Sequence, residues 1–134
     1  MIPNQLSSVT VLLVDDEAYF RRFIGKLLLN EGVATVVEAR DGTDALDLFR
    51  VAKPELVILD INMPRKNGLE TLQALRVLSA DVPIVMLTSV ADEAIVERCV
   101  HEGATAFIRK DVTAGELMRE LHEMLSEQKL QHTS

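Results

Sequence analysis

Five polar residues in this sequence could take part in a single reaction. Each of them lies at the end of an apolar run. They are two adjacent acidic residues, a third acidic residue, a hydroxyl and a lysine: Asp15, Asp16, Asp60, Thr88 and Lys110. Carboxylates that lie together repel one another, by about 4 kcal/mol for a pair at ~4 Å and an effective dielectric of 20, so such a site takes up protons or a cation. Carboxylate oxygens favour Mg²⁺, with Mn²⁺ possible. With a divalent ion, a hydroxyl and an ammonium beside it, a carboxylate can attack a phosphoryl group.

Short apolar runs alternate with amphipathic stretches along the chain. Asp60 ends the run Leu56-Val57-Ile58-Leu59, which is typical of a strand buried on both faces. The pattern predicts strands over 9–14, 34–39, 56–60, 82–87 and 105–108 and helices over 18–31, 45–52, 69–78, 91–101 and 113–125. Five alternations indicate a doubly wound parallel α/β sheet of order 2-1-3-4-5, a flavodoxin-like (βα)5 fold. Its switch point, between the first and third strands, would bring the three aspartates into one crevice.

Composition and length limit the classes of function. The chain has 134 residues, 48% of them hydrophobic, and a net charge of −7, which argues against direct binding to nucleic acid. A single cysteine, Cys99, excludes an internal disulfide and fits a cytoplasmic protein. No apolar run approaches the ~18 residues of a membrane span, and residues 1–8 do not resemble a signal peptide. We expect one domain over 9–126, an N-terminal extension over 1–8 and a frayed tail over 127–134.

The motifs, taken in order, resemble the receiver domain of two-component response regulators. The residues that carry the resemblance are Asp15-Asp16, Asp60-Ile61-Asn62-Met63-Pro64 with Gly68, Thr88-Ser89, and Lys110. The resemblance spans about Val9 to Leu125. It implies that Asp60 accepts a phosphoryl group from the phosphohistidine of a sensor histidine kinase or phosphotransfer protein. It implies no enzymatic activity beyond self-catalysed phosphotransfer and autodephosphorylation.

The resemblance also implies a ligand set and a conformational switch. Mg²⁺ would be held by Asp16, Asp60 and the backbone carbonyl of Asn62, with Asp15 acting largely through water. Thr88 and Lys110 would contact the phosphoryl group. Phe107 would rotate inward as Thr88 closes, which would change the face of the fourth helix, fifth strand and fifth helix for an effector protein or fused effector domain. The chain would be a monomer or a phosphorylation-dependent dimer.

Position 111 departs from the pattern of the family. Receivers often have proline after the lysine, whereas this chain has Asp111. A cis bond before a residue other than proline costs ~2.5–4 kcal/mol, so we predict a trans Lys110–Asp111 peptide. Asn62 and Val90 border the expected route of an attacking water, and Arg65-Lys66 could help to dock a partner.

Several alternatives remain open from the sequence alone. Taken singly, Asp15-Asp16 could cap a helix, Lys110 could be a solvated surface lysine and Phe107 could be a core residue. A flavodoxin-type carrier would need a Ser/Thr/Gly-rich phosphate loop after the first strand, and a haloacid-dehalogenase-type phosphatase typically has a second aspartate where this chain has Asn62. The chain could also be a degenerate receiver that only binds partners, or a phosphorelay intermediate without effector readout. The sequence does not decide between a stand-alone protein and part of a longer regulator.

Four remaining residues are assigned ordinary positions. We expect Cys99 to be a small buried hydrophobe. The histidines lack partners at ligand spacing, so we expect all of them at the surface: His101, His122 and His132.

Overall fold

A five-stranded parallel sheet with helices on both faces forms the core of the computed structural model, which describes residues 8–63, 67–89 and 93–133, with side chains described up to Ser126. The strands are β1 (Thr10–Val14), β2 (Thr35–Ala39), β3 (Leu56–Asp60), β4 (Ile84–Thr88) and β5 (Ala106–Arg109). The helices are α1 (Ala18–Asn30), α2 (Gly42–Ala52), α3 (Gly68–Leu78), α4 (Glu93–His101) and α5 (Ala114–Thr133). The strand order is β2-β1-β3-β4-β5, and all four neighbouring pairs are parallel. The predicted fold class and strand order are therefore confirmed.

Alternate side chains of the strands point to opposite faces of the sheet and form two hydrophobic clusters. Leu13 and Ile58 pack on the face covered by α1 and α5, whereas Leu12 and Leu59 pack on the face covered by α2, α3 and α4. β3 is buried along its whole length, as the uninterrupted apolar run predicts. The rigid central strand therefore ends at Asp60.

Side-chain caps fix the starts of two helices at the predicted residues. Asn67 Oδ1 accepts the backbone N–H of Glu70 at 2.8 Å, and Thr113 Oγ1 accepts that of Glu116 at 3.2 Å. The cap at Asn67 matters for the site because α3 begins directly beside the end of β3.

β3 has its predicted bounds, whereas the other four strands differ from the predicted ones by one or two residues at their ends. The clearest case is β4, which begins at Ile84 rather than at 82 because Pro83 has no N–H to donate to the sheet. α5 is the larger difference, since it continues to Thr133 instead of ending near Leu125. Residues 127–131 are Glu, Gln, Lys, Leu and Gln, all good helix formers, so the sequence offers no stop signal there.

The Lys110–Asp111 peptide, Cys99 and two of the histidines agree with expectation. None of the described peptide bonds is cis, so the Lys110–Asp111 peptide is trans as predicted. Cys99 is buried, and His101 and His122 are exposed, while the side chain of His132 lies outside the described part. In the part of the chain that was searched, no helix combines the length and the apolar character needed to cross a lipid bilayer.

Candidate functional site

Three aspartates meet at the carboxyl ends of β1 and β3. Asp15 and Asp60 are buried and Asp16 is exposed, and one carboxylate oxygen of each lies within 4.8 Å of the others. Asp15 is fixed by the N–H that it donates to the Ala39 carbonyl at 3.1 Å. The structure thus brings together the three residues that the topology predicts in one crevice. Their oxygens are the donors that a hard divalent cation prefers.

Burial of the carboxylates changes their affinity for protons. The pKa of Asp60 is raised to about 7, chiefly by burial and also by the negative charge of Asp15, while Lys110 opposes both effects. Burial also raises the pKa of Asp15, against the hydrogen bond that Lys110 donates to it. Without a cation, Asp60 is therefore about half protonated near neutral pH. A bound cation would favour the charged carboxylate that a nucleophile needs.

Lys110 extends from the end of β5 into this cluster. Its Nζ lies 2.8 Å from Asp15 Oδ2 and 3.5 Å from Asp60 Oδ2, and its side chain is only 9% exposed. Burial lowers the pKa of Lys110, but the hydrogen bond to Asp15 and the charges of both aspartates outweigh burial and raise it. The reading of Lys110 as a solvated surface lysine is therefore wrong, and its ammonium is a fixed positive charge beside Asp60.

Thr88 and Phe107 lie on β4 and β5, the two strands that follow β3 in the order of the sheet. Thr88 is 5% exposed, and its carbonyl accepts the N–H of Lys110 at 2.8 Å. It stands one residue beyond Leu87, the partner of Asp60 in the sheet register. Phe107 is half-buried and packs against the cluster on the α2–α3–α4 side. The roles assigned to Thr88 and Phe107 remain predictions.

Asn62 lies at the mouth of the site. It is exposed, and its Nδ2 approaches Ser89 Oγ at 3.5 Å, across the gap between the ends of β3 and β4. Its N–H donates to Asp60 Oδ1 at 3.1 Å. The other positions assigned from the sequence near this mouth, Pro64, Arg65-Lys66 and Val90, lie outside the described residues.

Gly68 allows the chain after β3 to fold back onto the strand end. A Cβ at this position would overlap the carbonyl oxygen of Asp60 and lie 2.5 Å from the Cα of Ile61. Both obstacles are backbone atoms, which cannot move aside as a flexible side chain can. Gly68 also donates its N–H to the Ile61 carbonyl at 2.9 Å. Only glycine fits here, so Gly68 fixes the backbone that carries Asp60.

Residues of α1 contact the site in ways that the sequence analysis missed. Glu17 Oε1 lies 3.2 Å from Lys110 Nζ, and the ring of Phe20 lies 4.4 Å from the same atom. Arg21 Nη1 donates to the Asp15 carbonyl at 2.6 Å. Positions 17, 20 and 21 share a helix face, which is a usable signal in the sequence. The contacts with Lys110 join segments 93 residues apart, so no local pattern reveals them.

A groove of about 450 Å³ opens beside the aspartates. Apolar side chains form most of its wall, with an aspartate and two asparagines: Asp16, Ile61, Asn62, Met63, Asn67, Leu69 and Ile95. A partner side chain could therefore approach the cluster from this direction.

Comparisons with known proteins agree on one family. The family model described as the response regulator receiver domain matches residues 11–122. The chain is 38% identical over 109 residues to the transcriptional regulatory protein PdtaR of Mycobacterium tuberculosis, covering 81% of this chain and 52% of that protein. It is 35% identical over 107 residues to a protein-glutamate methylesterase/protein-glutamine glutaminase of Treponema pallidum, covering 78% of this chain and 27% of that protein. The chain thus spans only part of the length of these two relatives.

A solved structure matches over nearly its whole length. The chemotaxis protein CheY4 of Vibrio cholerae superimposes with a TM-score of 0.79 at 30% sequence identity, and the match covers 87% of this chain and 98% of that one. The likeness therefore extends to both fold and sequence.

Proposed function

This chain belongs to the response regulator receiver domain family, and on that basis we propose that Asp60 accepts a phosphoryl group from a phosphohistidine. The donor would be a sensor histidine kinase or a phosphotransfer protein. The observation that carries the proposal is the buried Asp60 carboxylate, which lies close to Asp15 and Asp16 and 3.5 Å from the Lys110 ammonium. Asp60 is the member of this cluster that is both buried and at the end of the central strand.

The oxygen donors of the cluster fit Mg²⁺, with Mn²⁺ as a substitute. Asp16, Asp60 and the carbonyl of Asn62 would hold the ion, with Asp15 acting largely through water. When bound, the ion neutralises charge on the phosphoryl oxygens. The elevated pKa of Asp60, about 7, supports this assignment because a buried carboxylate beside another needs a compensating positive charge.

The transfer itself needs one nucleophile and two donors from this chain. A carboxylate oxygen of Asp60 forms a bond to phosphorus while the bond from phosphorus to the histidine nitrogen breaks, and the histidine leaves with that electron pair. Lys110 and Thr88 would donate hydrogen bonds to the phosphoryl oxygens. Water later breaks the acyl phosphate and restores Asp60. We propose no other enzymatic activity for the chain.

We propose that the phosphoryl group changes the face formed by α4, β5 and α5. Thr88 moving toward the new phosphate would free space into which Phe107 rotates, and the altered face would engage an effector protein or a fused effector domain. This is a shift between two packings, so the unphosphorylated chain would populate the active form as a minor state.

We propose that the receiver unit comprises residues 9–126, with 1–8 and 127–134 outside it. It would act in the cytoplasm as a monomer or a phosphorylation-dependent dimer. It would make no direct contact with nucleic acid.

A small phosphodonor tests the proposal without the natural partner. The chain is incubated with phosphoramidate and Mg²⁺, and its intact mass is measured. We expect the mass of one phosphoryl group to be added to the wild type, and the adduct to be lost on treatment with hydroxylamine, as an acyl phosphate is. Asp60→Asn should gain nothing, whereas Asp47→Asn, which removes an exposed carboxylate on α2, should behave as the wild type.

Three results would contradict the proposal. One is an adduct on Asp60→Asn that forms at the wild-type rate. Another is an adduct that resists hydroxylamine. The third is a wild type that gains no phosphoryl group at all, which would favour a domain that only binds partners.

A further inference from the structure

Two side chains at the start of α1 contact the Lys110 ammonium. Glu17 Oε1 lies 3.2 Å from Lys110 Nζ, and the centroid of the Phe20 ring lies 4.4 Å from it. Residues three apart at the start of a helix share a face, so one turn supplies both a carboxylate and an aromatic ring. The position of the ammonium is therefore set by α1 as well as by the aspartates.

Glu17 occupies the N-cap position of α1 without capping the helix. Its backbone is extended, and its side chain accepts no hydrogen bond from the first turn. Ser, Thr, Asp and Asn are the residues that stabilise this position. Glutamate is thus a weaker capping residue than these four, and its longer side chain reaches Lys110 instead. Side-chain capping does not explain the residue, whereas the contact with Lys110 does.

Lys110 has as many carboxylate partners as it has donor hydrogens. A protonated lysine carries three N–H donors, and its partners are Asp15 at 2.8 Å, Glu17 at 3.2 Å and Asp60 at 3.5 Å. A phosphoryl group on Asp60 brings new oxygens that need the same donors. One of these oxygens can take the donor that now points at Asp60, so a second contact to the phosphoryl group requires Lys110 to release Asp15 or Glu17.

The exposure of these carboxylates decides which partner is released. Asp15 is fully buried, and removal of its ammonium partner would leave a buried charge uncompensated. The side chain of Glu17 is 60% exposed, so water can replace the ammonium at small cost. Asp15 also keeps Lys110 inside the cluster when Glu17 is absent. Glu17 is therefore the exchangeable partner of Lys110.

We propose that Glu17 is a positioning residue that competes with the phosphoryl group for Lys110. This inference rests on the proposed function of Asp60. Glu17 holds the ammonium while the site is unphosphorylated and releases it when phosphate arrives. The negative charge of Glu17 also repels the phosphoryl oxygens. Glu17 thereby opposes occupation of the site and favours the unphosphorylated chain.

Beryllofluoride, an unreactive mimic of the phosphoryl group, separates competition from a structural role. Calorimetry gives its affinity at saturating Mg²⁺, and a second titration gives the affinity for Mg²⁺ alone. Glu17→Gln should bind beryllofluoride about two- to fivefold more tightly than the wild type at low ionic strength, with a smaller gain in salt. Its affinity for Mg²⁺ should be unchanged or lower, because a negative charge has been removed. A merely structural role would weaken both affinities together.

Glu70→Gln is the matched control. Glu70 is exposed on the first turn of α3, at the same end of the sheet, and is not among the described partners of Lys110. The control should bind beryllofluoride as the wild type does. The proposal is overturned if Glu17→Gln binds the mimic no more tightly than the wild type, or if Glu70→Gln shows the same gain. A wild type that binds no beryllofluoride with Mg²⁺ present would instead refute the proposed function of Asp60, and this inference with it.

Discussion

Replacing Asp60 by asparagine should stabilise the metal-free chain more at high pH than at low pH. Asp60 is 1% exposed, and its pKa is raised from 3.8 to about 7, chiefly by burial. Between these values the folded chain binds a proton that the unfolded chain has released. The free energy of unfolding therefore falls as the pH rises through this range. Asparagine has no charge to bury, so the free energy of unfolding of the variant does not fall for this reason.

The size of the effect follows from the two pKa values. One pKa unit corresponds to about 1.4 kcal/mol, so the full loss by pH 8 is about 4 kcal/mol, of which roughly 2–3 kcal/mol falls between pH 5 and pH 8. The stability difference between Asp60→Asn and the wild type should therefore be larger at pH 8 by that amount. Any cost of burying the asparagine amide is the same at both pH values and cancels in the comparison.

Urea unfolding at pH 5 and pH 8, with a chelator present, measures this difference. Asp47→Asn serves as the control because it removes a carboxylate that is exposed on α2. The control should retain the pH dependence of the wild type. Addition of Mg²⁺ at pH 8 should stabilise the wild type and narrow its gap to Asp60→Asn, because the ion binds only the folded chain. A stability difference that is equal at pH 5 and pH 8 would refute the argument that burial suppresses ionisation of Asp60.

Three other substitutions test the geometry of the site and the stability of the fold. Gly68→Ala should lower the free energy of unfolding, measured in urea, by about 2–3 kcal/mol, because its Cβ would overlap the Asp60 carbonyl. Gly115→Ala is the control and should not destabilise the chain, because a Cβ at that position has open space. Lys110→Met should move the Asp60 carboxyl titration to a higher pH, followed by the ¹³C shift of that carboxyl, because Lys110 lowers the pKa of Asp60. Arg76→Met should destabilise the chain by about 2–4 kcal/mol, because it removes a guanidinium that donates hydrogen bonds to the carbonyl of Gly103 and to two other backbone carbonyls. Unchanged stability of this variant would contradict the prediction.

Residues at strand ends were the most predictable part of the site. Asp60 follows four apolar residues that are typical of a doubly buried strand, and the carboxyl ends of parallel strands meet at one edge of the sheet. The convergence of Asp15, Asp16 and Asp60 therefore followed from topology alone. Gly68 belongs to the motif found in the sequence, but the motif does not show why glycine is needed there. The need arises from the close approach of two backbone segments in the folded chain.

Contacts between distant segments were not predictable in the same way. The sequence assigns Lys110 to the site by its place at a strand end, but its contacts with Asp15 and Phe20 are visible only in the folded chain. Glu17 reads as one more acidic residue after Asp16, because its partner is 93 residues away. The end of α5 was also misplaced, since polar helix formers after Leu125 continue the helix without contributing to the apolar stripe that defined it.

The most direct test of the account is to identify the phosphorylated residue chemically. Borohydride reduces an aspartyl phosphate to homoserine, and peptide mass mapping then locates the change. After incubation with phosphoramidate and Mg²⁺, the account predicts homoserine at position 60, and none when a chelator replaces Mg²⁺. Homoserine at Asp15 or Asp16 instead, or phosphate retained on a serine or threonine, would contradict the claim that Asp60 is the phosphoacceptor.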